Sequence, residues 1–178
     1  DIVCTGPLDD VQSLIDQNRP FALADNAEPR VATLAEIDTW QKENVTEKIH
    51  IQDAAESVLD HVGLPASRKY LKGTSAFVGL PRGSDIMPLI REFHNAMSVK
   101  LGPRWAEWGT EQITSNYVIA NCGNARALSS PAYVNHTPTT TIDAASIIHF
   151  FGTYRYHNGR YGQIGCKLID DMRLAVAS

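Results

Sequence analysis

The sequence predicts an α/β structure, because short apolar segments typical of strands alternate along the chain with longer segments of helical periodicity. Its 178 residues, 43% of them hydrophobic, suffice for the core of one domain and are too few for two full domains. No repeat, low-complexity stretch or linker divides the sequence. We therefore expect a single domain over residues 1–178, in which helices pack against a sheet.

The amino-terminal part predicts two strands and two helices. Residues 2–4 have the apolar character of a buried strand, and Asp9 or Asp10 is placed to cap a short helix after it. Residues 21–24 resemble a second strand that ends in a turn at 25–26. Apolar residues then recur at helical spacing between 34 and 40 in a polar surrounding, which predicts a surface helix.

The middle of the chain predicts a helix, a strand and a second, longer helix. Asp53 is placed to cap the first helix, which Gly63 would end. Residues 75–78 have the composition of a strand. Ser84 is placed to cap the clearest helix of the chain, which we expect to continue to Leu101 before a Gly-Pro pair.

The carboxyl-terminal part predicts two further helices and two strands. We expect a helix over residues 110–119, strands over 125–128 and 147–151, and a closing helix over 165–177. The apolar set that would bury the closing helix is Cys166, Ile169, Met172, Leu174 and Val176.

Composition argues against nucleic acid and anionic lipid as partners, since the formal charge is -4 and the isoelectric point is near 5.8. The longest apolar run, residues 147–151, is interrupted by His149 and is far shorter than the roughly 20 residues of a transmembrane helix. Cys4, Cys122 and Cys166 are odd in number and widely spaced, which favours buried free thiols in a reducing, cytoplasmic compartment over disulfides.

Three segments combine side chains that suit chemistry. Asp1 enters an apolar strand, where a divalent cation would compensate its charge, although this segment alone favours a terminal residue in solvent. Glu111 and Gln112 stand in the first turn of a helix, where they can bind sugar hydroxyls or simply cap the helix.

The third segment follows the predicted strand at 147–148. His149 can ligate a metal, Gly152 allows close approach of backbone to a ligand, and Arg155 offers a planar set of donors to a phosphate. A histidine packed in the core is the competing interpretation of His149.

Together these segments resemble the motifs of retaining glycosyltransferases with the GT-A fold, in particular family eight, which includes glycogenin and bacterial lipopolysaccharide sugar transferases. Asp1 is similar to the last residue of the family's Asp-x-Asp triplet, and residues 8–10 resemble its later Leu/Ile-Asp-Asp/Glu signature. Residues 111–116 resemble Asp-Gln-x-x-x-Asn, with Glu in place of Asp. Residues 149–155 resemble His-x-x-Gly-x-x-Lys, with Arg in place of Lys, and residues 73–75 stand where the family has Asn-Ser-Gly.

The resemblance implies a partial GT-A-like mixed sheet flanked by helices, without the amino-terminal strands that bind the nucleotide base. The implied reaction is metal-assisted transfer of a sugar from a nucleotide-diphosphate-sugar, with a UDP-sugar favoured, to a saccharide or other hydroxyl acceptor. The anomeric configuration would be retained.

The resemblance also implies roles for individual residues. Asp1 and His149 would bind a divalent cation, with manganese favoured over magnesium because an imidazole joins the oxygen ligands. Glu111 and Gln112 would flank the reacting carbon as catalytic residues. The residues implied in donor binding are Asp1, Thr74, Ser75, Gly152 and Arg155.

The resemblance further implies that the first Asp of the triplet and the base-binding strands precede residue 1. We therefore expect weak metal binding and no measurable transfer from these 178 residues alone. A sheet edge left open by missing strands would favour a dimer.

Two other functions remain open at this point. A non-catalytic carbohydrate- or protein-binding module would use Trp105 and Trp108 to stack on sugar rings, although such tryptophans also anchor helices against a core. A metal-dependent hydrolase is disfavoured because the remaining histidines lack ligand spacing and suit surface or structural positions: His50, His61, His94, His136 and His157.

Overall fold

The computed structural model describes residues 1–24 and 30–177, apart from the side chains of Thr153 and Ala177. These residues form an α/β structure with small mixed sheets and flanking helices, as the alternating pattern predicts. The turn expected at residues 25–26 lies outside the described residues. The chain divides into two compact units, one of residues 1–9 with 129–178 and the other of residues 10–128.

Six α-helices, three short 3-10 helices (Leu59–His61, Gly102–Ala106 and Gly152–Gly159) and eight strands are found in the described ranges. The helices are α1 (Asp9–Asp16), α2 (Leu34–Asn44), α3 (Ile51–Glu56), α4 (Met87–Leu101), α5 (Thr110–Asn121) and α6 (Arg160–Ala177). The strands are β1 (Ile2–Cys4), β2 (Phe21–Ala24), β3 (Val31–Thr33), β4 (Lys69–Leu71), β5 (Gly73–Gly79), β6 (Arg126–Leu128), β7 (Tyr133–Asn135) and β8 (Ile147–His149).

The unit built from the chain ends contains the sheet β1-β8-β7. Strand β1 is antiparallel to β8, with Ile2 opposite His149, and β7 is parallel to β8, with Asn135 opposite the same histidine. Apolar side chains of the three strands form a core against which Ile164 and Leu168 of α6 pack. This arrangement places His149 in the central strand, between the two edges.

Helix α6 corrects the predicted burial of the closing helix. It begins at Arg160, five residues earlier than expected, and its buried contact comes from Ile164 and Leu168, which are one helical turn apart. The apolar set predicted to face the core is instead exposed: Cys166, Ile169, Met172, Leu174 and Val176.

The unit of residues 10–128 contains the sheet β5-β2-β6 and the separate pair β3-β4. Strand β2 is antiparallel to β5 and parallel to β6. The main core lies between helices and the β3-β4 pair, and in it Phe93 of α4 stacks on Tyr117 of α5 with ring centroids 4.4 Å apart. Both rings are fully buried, so this stack helps to fix α5 in place.

Helix α2 is a surface helix, as predicted. One face, with Ile37 and Gln41, is buried, while residues 35–36, 39 and 42–44 are exposed.

Two predictions about helix starts are wrong. Helix α3 is capped by His50, whose Nδ1 accepts from a backbone N–H, and not by Asp53. Helix α4 begins after Ser84, at Met87, because Pro88 lies in its first turn and has the fixed φ of a helix start.

The structure also bears on the predictions for the cysteines and for a membrane-spanning helix. Cys4 and Cys166 are exposed and Cys122 is half-buried, so the expectation of three buried thiols is wrong. No helix within residues 1–24 and 30–177 is long and apolar enough to cross a bilayer.

Candidate functional site

Residues from the two ends of the sequence meet at the β1-β8 edge of the first unit. We call Asp1, Asn135, His149, Gly152 and Arg155 the Asp1 cluster. The backbone N–H of Phe150 donates to the carbonyl oxygen of Asp1 at 2.8 Å, and an Arg155 guanidinium nitrogen lies 2.5 Å from Asp1 Oδ2. Asp1 and Arg155 therefore contact each other, and Arg155 is close enough to His149 to influence the pKa of its ring.

Asn135 fixes the orientation of the His149 ring. His149 Nδ1 lies 2.8 Å from Asn135 Oδ1, an acceptor, so Nδ1 carries the proton and donates. The Nε2 atom then holds the lone pair, which is the form that binds a metal. Burial lowers the pKa of His149 to about 4, helped by the Asp1 terminal ammonium and by Arg155. The imidazole is therefore neutral at pH 7.

This lowered pKa predicts a pH dependence of stability. Between pH 6.5 and about 4 the unfolded chain takes up a proton at His149 and the folded chain does not, so the free energy of unfolding should fall as the pH is lowered through that window. A urea titration at several pH values measures this slope. His149→Gln should flatten it, whereas the control His61→Gln should leave it unchanged. An unchanged slope in His149→Gln would contradict the assignment.

The turn after β8 sets the position of Arg155. Gly152 has φ +54°, in the left-handed region, and nothing lies within 4 Å of where its Cβ would be. A side chain there would meet backbone strain and no clash. Arg155 Nε donates to the Gly152 carbonyl oxygen at 3.0 Å, which leaves other guanidinium nitrogens for Asp1.

The Asp1 cluster offers a divalent cation two ligand types. They are the Asp1 carboxylate and the neutral His149 nitrogen, and this mixed oxygen and imidazole set suits manganese. In the part of the chain that the structure describes, no third His, Cys, Asp or Glu joins them in a three-residue group. Further ligands would have to come from water or from the oxygens of a bound diphosphate.

The second unit joins two of the other predicted motifs. Gln112 Oε1 of α5 accepts from the backbone N–H of Ser75 at 3.2 Å, and Asn116 Nδ2 donates to the Gly73 carbonyl oxygen at 2.8 Å. A Cβ on Gly73 would lie 2.5 Å from the Leu23 carbonyl oxygen, so strand β2 requires glycine there. The motif at residues 111–116 thus holds the start of β5.

A chain of buried polar groups continues from Gln112. Its Nε2 donates to Gln52 Oε1 at 2.5 Å, and Gln52 Nε2 donates to Glu56 Oε1 at 2.7 Å. Glu56 Oε2 accepts from Lys72 Nζ at 2.5 Å, and both side chains are less than 5% exposed. The Lys72 ammonium also lies over the Trp40 ring, 4.5 Å from its centroid. The amide of Gln112 is therefore fixed by partners on two sides.

Glu111 is exposed and performs a capping role. Its Oε2 accepts from the backbone N–H of Gly109, the N-cap residue of α5, at 3.1 Å. It also lines a cavity of about 410 Å³ whose wall is largely apolar. Thr74 Oγ1, a predicted donor contact, is buried with no hydrogen-bond partner among the described residues.

The two tryptophans differ in exposure. Trp105 is 6% exposed and its Nε1 donates to His94 Nδ1 at 3.1 Å, so it anchors the helical region as the structural explanation predicts. Trp108 is 84% exposed, and its ring makes an edge contact with His50. Of these two tryptophans, Trp108 is the one whose ring is open to solvent.

A separate group in the second unit has metal-ligand spacing but already holds a cation. The group consists of Asp38, Asp60 and His61. The Lys42 ammonium lies 2.6 Å from Asp38 Oδ2 and 3.1 Å from His61 Nε2. Because the ammonium compensates the buried carboxylate, this group needs no metal.

Sequence reasoning missed Asn135, Gln52 and Lys72. Asn135 reaches His149 only because β7 and β8 are parallel neighbours, and β7 was not predicted. Gln52 and Lys72 enter the polar chain through contacts with elements distant in sequence. No local pattern marks any of the three.

No protein-family model, curated protein or solved structure matches this chain.

Proposed function

We propose that this chain serves a metal-assisted glycosyltransferase that moves a sugar from a UDP-sugar to a hydroxyl acceptor with retention. The observation that supports it most is the contact of Asp1 with Arg155, 154 positions away in sequence, together with the influence of the Arg155 charge on the His149 ring. A carboxylate, a neutral imidazole and a guanidinium are the groups that a metal-bound diphosphate requires.

The Asp1 cluster would bind the diphosphate. A divalent cation held by Asp1 and His149 would neutralise charge on the departing nucleotide diphosphate. Arg155 provides fixed donors to the phosphate oxygens, and its bond to the Gly152 carbonyl limits their movement. Its ion pair with Asp1 would be exchanged for phosphate contacts when the donor binds.

The Gln112 network belongs to the second unit, and we assign to it, by itself, the binding of sugar hydroxyls. Its anchored amide and the nearby Ser75 lie on a rigid strand and helix start, and Glu111 presents a carboxylate at a cavity wall. A rigid amide and a carboxylate can together accept from and donate to sugar hydroxyls.

Release of UDP from a panel of UDP-sugars tests the proposal in the full-length protein. We expect manganese-dependent release that EDTA abolishes, and a product with the anomeric configuration of the donor by NMR. His149→Ala should remove the manganese dependence, whereas the control His61→Ala should not. No UDP-sugar binding with manganese present, or equal turnover in EDTA, would overturn it.

Asn135→Ala should weaken manganese binding about 10- to 100-fold, because the ring of His149 then loses the acceptor that fixes its tautomer. Isothermal titration with manganese and UDP measures the affinity. Asn135→Asp keeps an acceptor oxygen and should restore most of it. Wild-type affinity in Asn135→Ala would show that the ring needs no such partner.

A carbohydrate-binding module is the second candidate, because Trp108 exposes an aromatic face. In that case oligosaccharide would bind without metal or nucleotide, and Trp108→Ala would abolish binding.

A further inference from the structure

The first unit contains a polar cavity that none of the Asp1 cluster residues lines. It has a volume of about 340 Å³. Its wall contains two imidazoles, one guanidinium and two amide side chains, and none of the described residues that line it is acidic. The polar lining residues are His136, Thr140, His157, Asn158, Arg160 and Gln163.

His136 is the unusual member of this cavity. The residue is 94% buried, and neither ring nitrogen has a hydrogen-bond partner among the residues that the structure describes. Its ring packs against that of Phe150, with centroids 4.7 Å apart. A buried imidazole always has at least one N–H to donate, and leaving that N–H unpaired is destabilising. A ligand with acceptor oxygens would remove that cost.

Among the described residues that line the cavity, Arg160 carries the one fixed charge, which is positive. Arg160 makes no ion pair within residues 1–24 and 30–177. Arg160 and His157 add to burial in lowering the pKa of His136, so both lie within electrostatic reach of the ring. Asn158 Nδ2 is hydrogen-bonded to His157 Nε2, and Gln163 Nε2 donates to the Asn158 carbonyl oxygen. These bonds hold the two amide side chains of the cavity wall in place.

We propose that this cavity binds a phosphate group between His136 and Arg160, as a small phosphate monoester or as free phosphate. Arginine and imidazole N–H groups donate to phosphate oxygens, and the absence of a lining carboxylate among the described residues favours an anion. The volume is many times the roughly 30 Å³ share of one water molecule, so a phosphate with a small organic group fits. The proposal is independent of sugar transfer.

NMR of the assigned His136 ring tests this, with inorganic phosphate, glucose 6-phosphate and glucose as probes at constant ionic strength. We expect a saturable shift with both phosphates and none with glucose. If glucose 6-phosphate binds more tightly than inorganic phosphate, the ligand class is a phosphate monoester. If the two bind equally, it is free phosphate. Absence of a saturable shift with either phosphate, or the same shift with glucose, would overturn the proposal.

Variants locate the site. Arg160→Gln should weaken phosphate binding about tenfold or more, because a charge-assisted hydrogen bond is lost. Arg173→Gln, on the exposed end of the same helix and paired with Asp170, is the matched control and should bind normally. Arg155→Gln should also bind normally. Loss of binding in Arg155→Gln, with Arg160→Gln unaffected, would place the phosphate at the Asp1 cluster and refute this site.

Discussion

Arg155→Ala should lower the turnover of a UDP-sugar about a hundredfold or more, because one preorganised contact to a developing phosphate charge is worth about 3 to 4 kcal/mol in the barrier. Its side chain is about one third exposed, and so is that of its ion-pair partner Asp1. Ion pairs of this exposure stabilise a fold by at most about 1 kcal/mol. Activity should therefore fall far more than stability, as steady-state UDP release and thermal unfolding of the same samples would show.

Two further variants separate charge from geometry. Arg155→Lys retains a positive charge but loses the planar set of donors, so its turnover should lie between those of the wild type and Arg155→Ala. Arg173→Ala removes an exposed arginine whose partner Asp170 is 3.5 Å away, and turnover should not change. Turnover in Arg155→Ala within a few fold of the wild type would rule out a diphosphate role for this guanidinium.

Lys72→Met should lower the free energy of unfolding by about 3–5 kcal/mol, because it leaves the carboxylate of Glu56 buried without its cation. The ammonium lies 2.5 Å from Glu56 Oε2, and neither side chain is more than 4% exposed. Methionine has nearly the same length, so lost packing contributes little. Urea unfolding followed by tryptophan fluorescence measures the change.

The control is Lys167→Met, which breaks an exposed ion pair with Asp171 one turn along α6 and should cost about 0.5 kcal/mol or less. The double variant Lys72→Met with Glu56→Leu removes both charges and should recover much of the lost stability. If Lys72→Met lowers the free energy of unfolding by less than about 1 kcal/mol, water must reach the Glu56 carboxylate.

Local signals predicted much of the secondary structure. Strands β1 and β2 occur at the residues that their apolar character marks, and α4 ends where Gly102, at φ +55°, stops it. The failures at α3 and α4 also have local causes. At α3 an imidazole replaces the expected carboxylate cap, and at α4 a proline in the first turn outweighs an upstream serine.

The candidate site was predictable as residue types but not as contacts. Asp1, His149 and Arg155 each suit a phosphate or a metal, and it was the family resemblance, not any local pattern, that predicted them to act at one diphosphate site. The ion pair of Asp1 with Arg155 depends on β1 lying antiparallel to β8. For Glu111 the contact is local. Its carboxylate caps the start of its own helix, so the same residue type at this position suits both catalysis and capping.

By itself, the sequence determined the alternation of helices and strands, the ends of several elements and the segments that carry reactive side chains. These features depend on residues that are close together in the sequence, and such local interactions do not require knowledge of the rest of the fold. Only the tertiary structure decided that Asn135 fixes His149, that Lys72 neutralises Glu56 and that the His136 ring lines a cavity with no hydrogen-bond partner among the described residues. Such contacts depend on which backbones pack together, and distant pairs acquire neighbours only when the chain has folded.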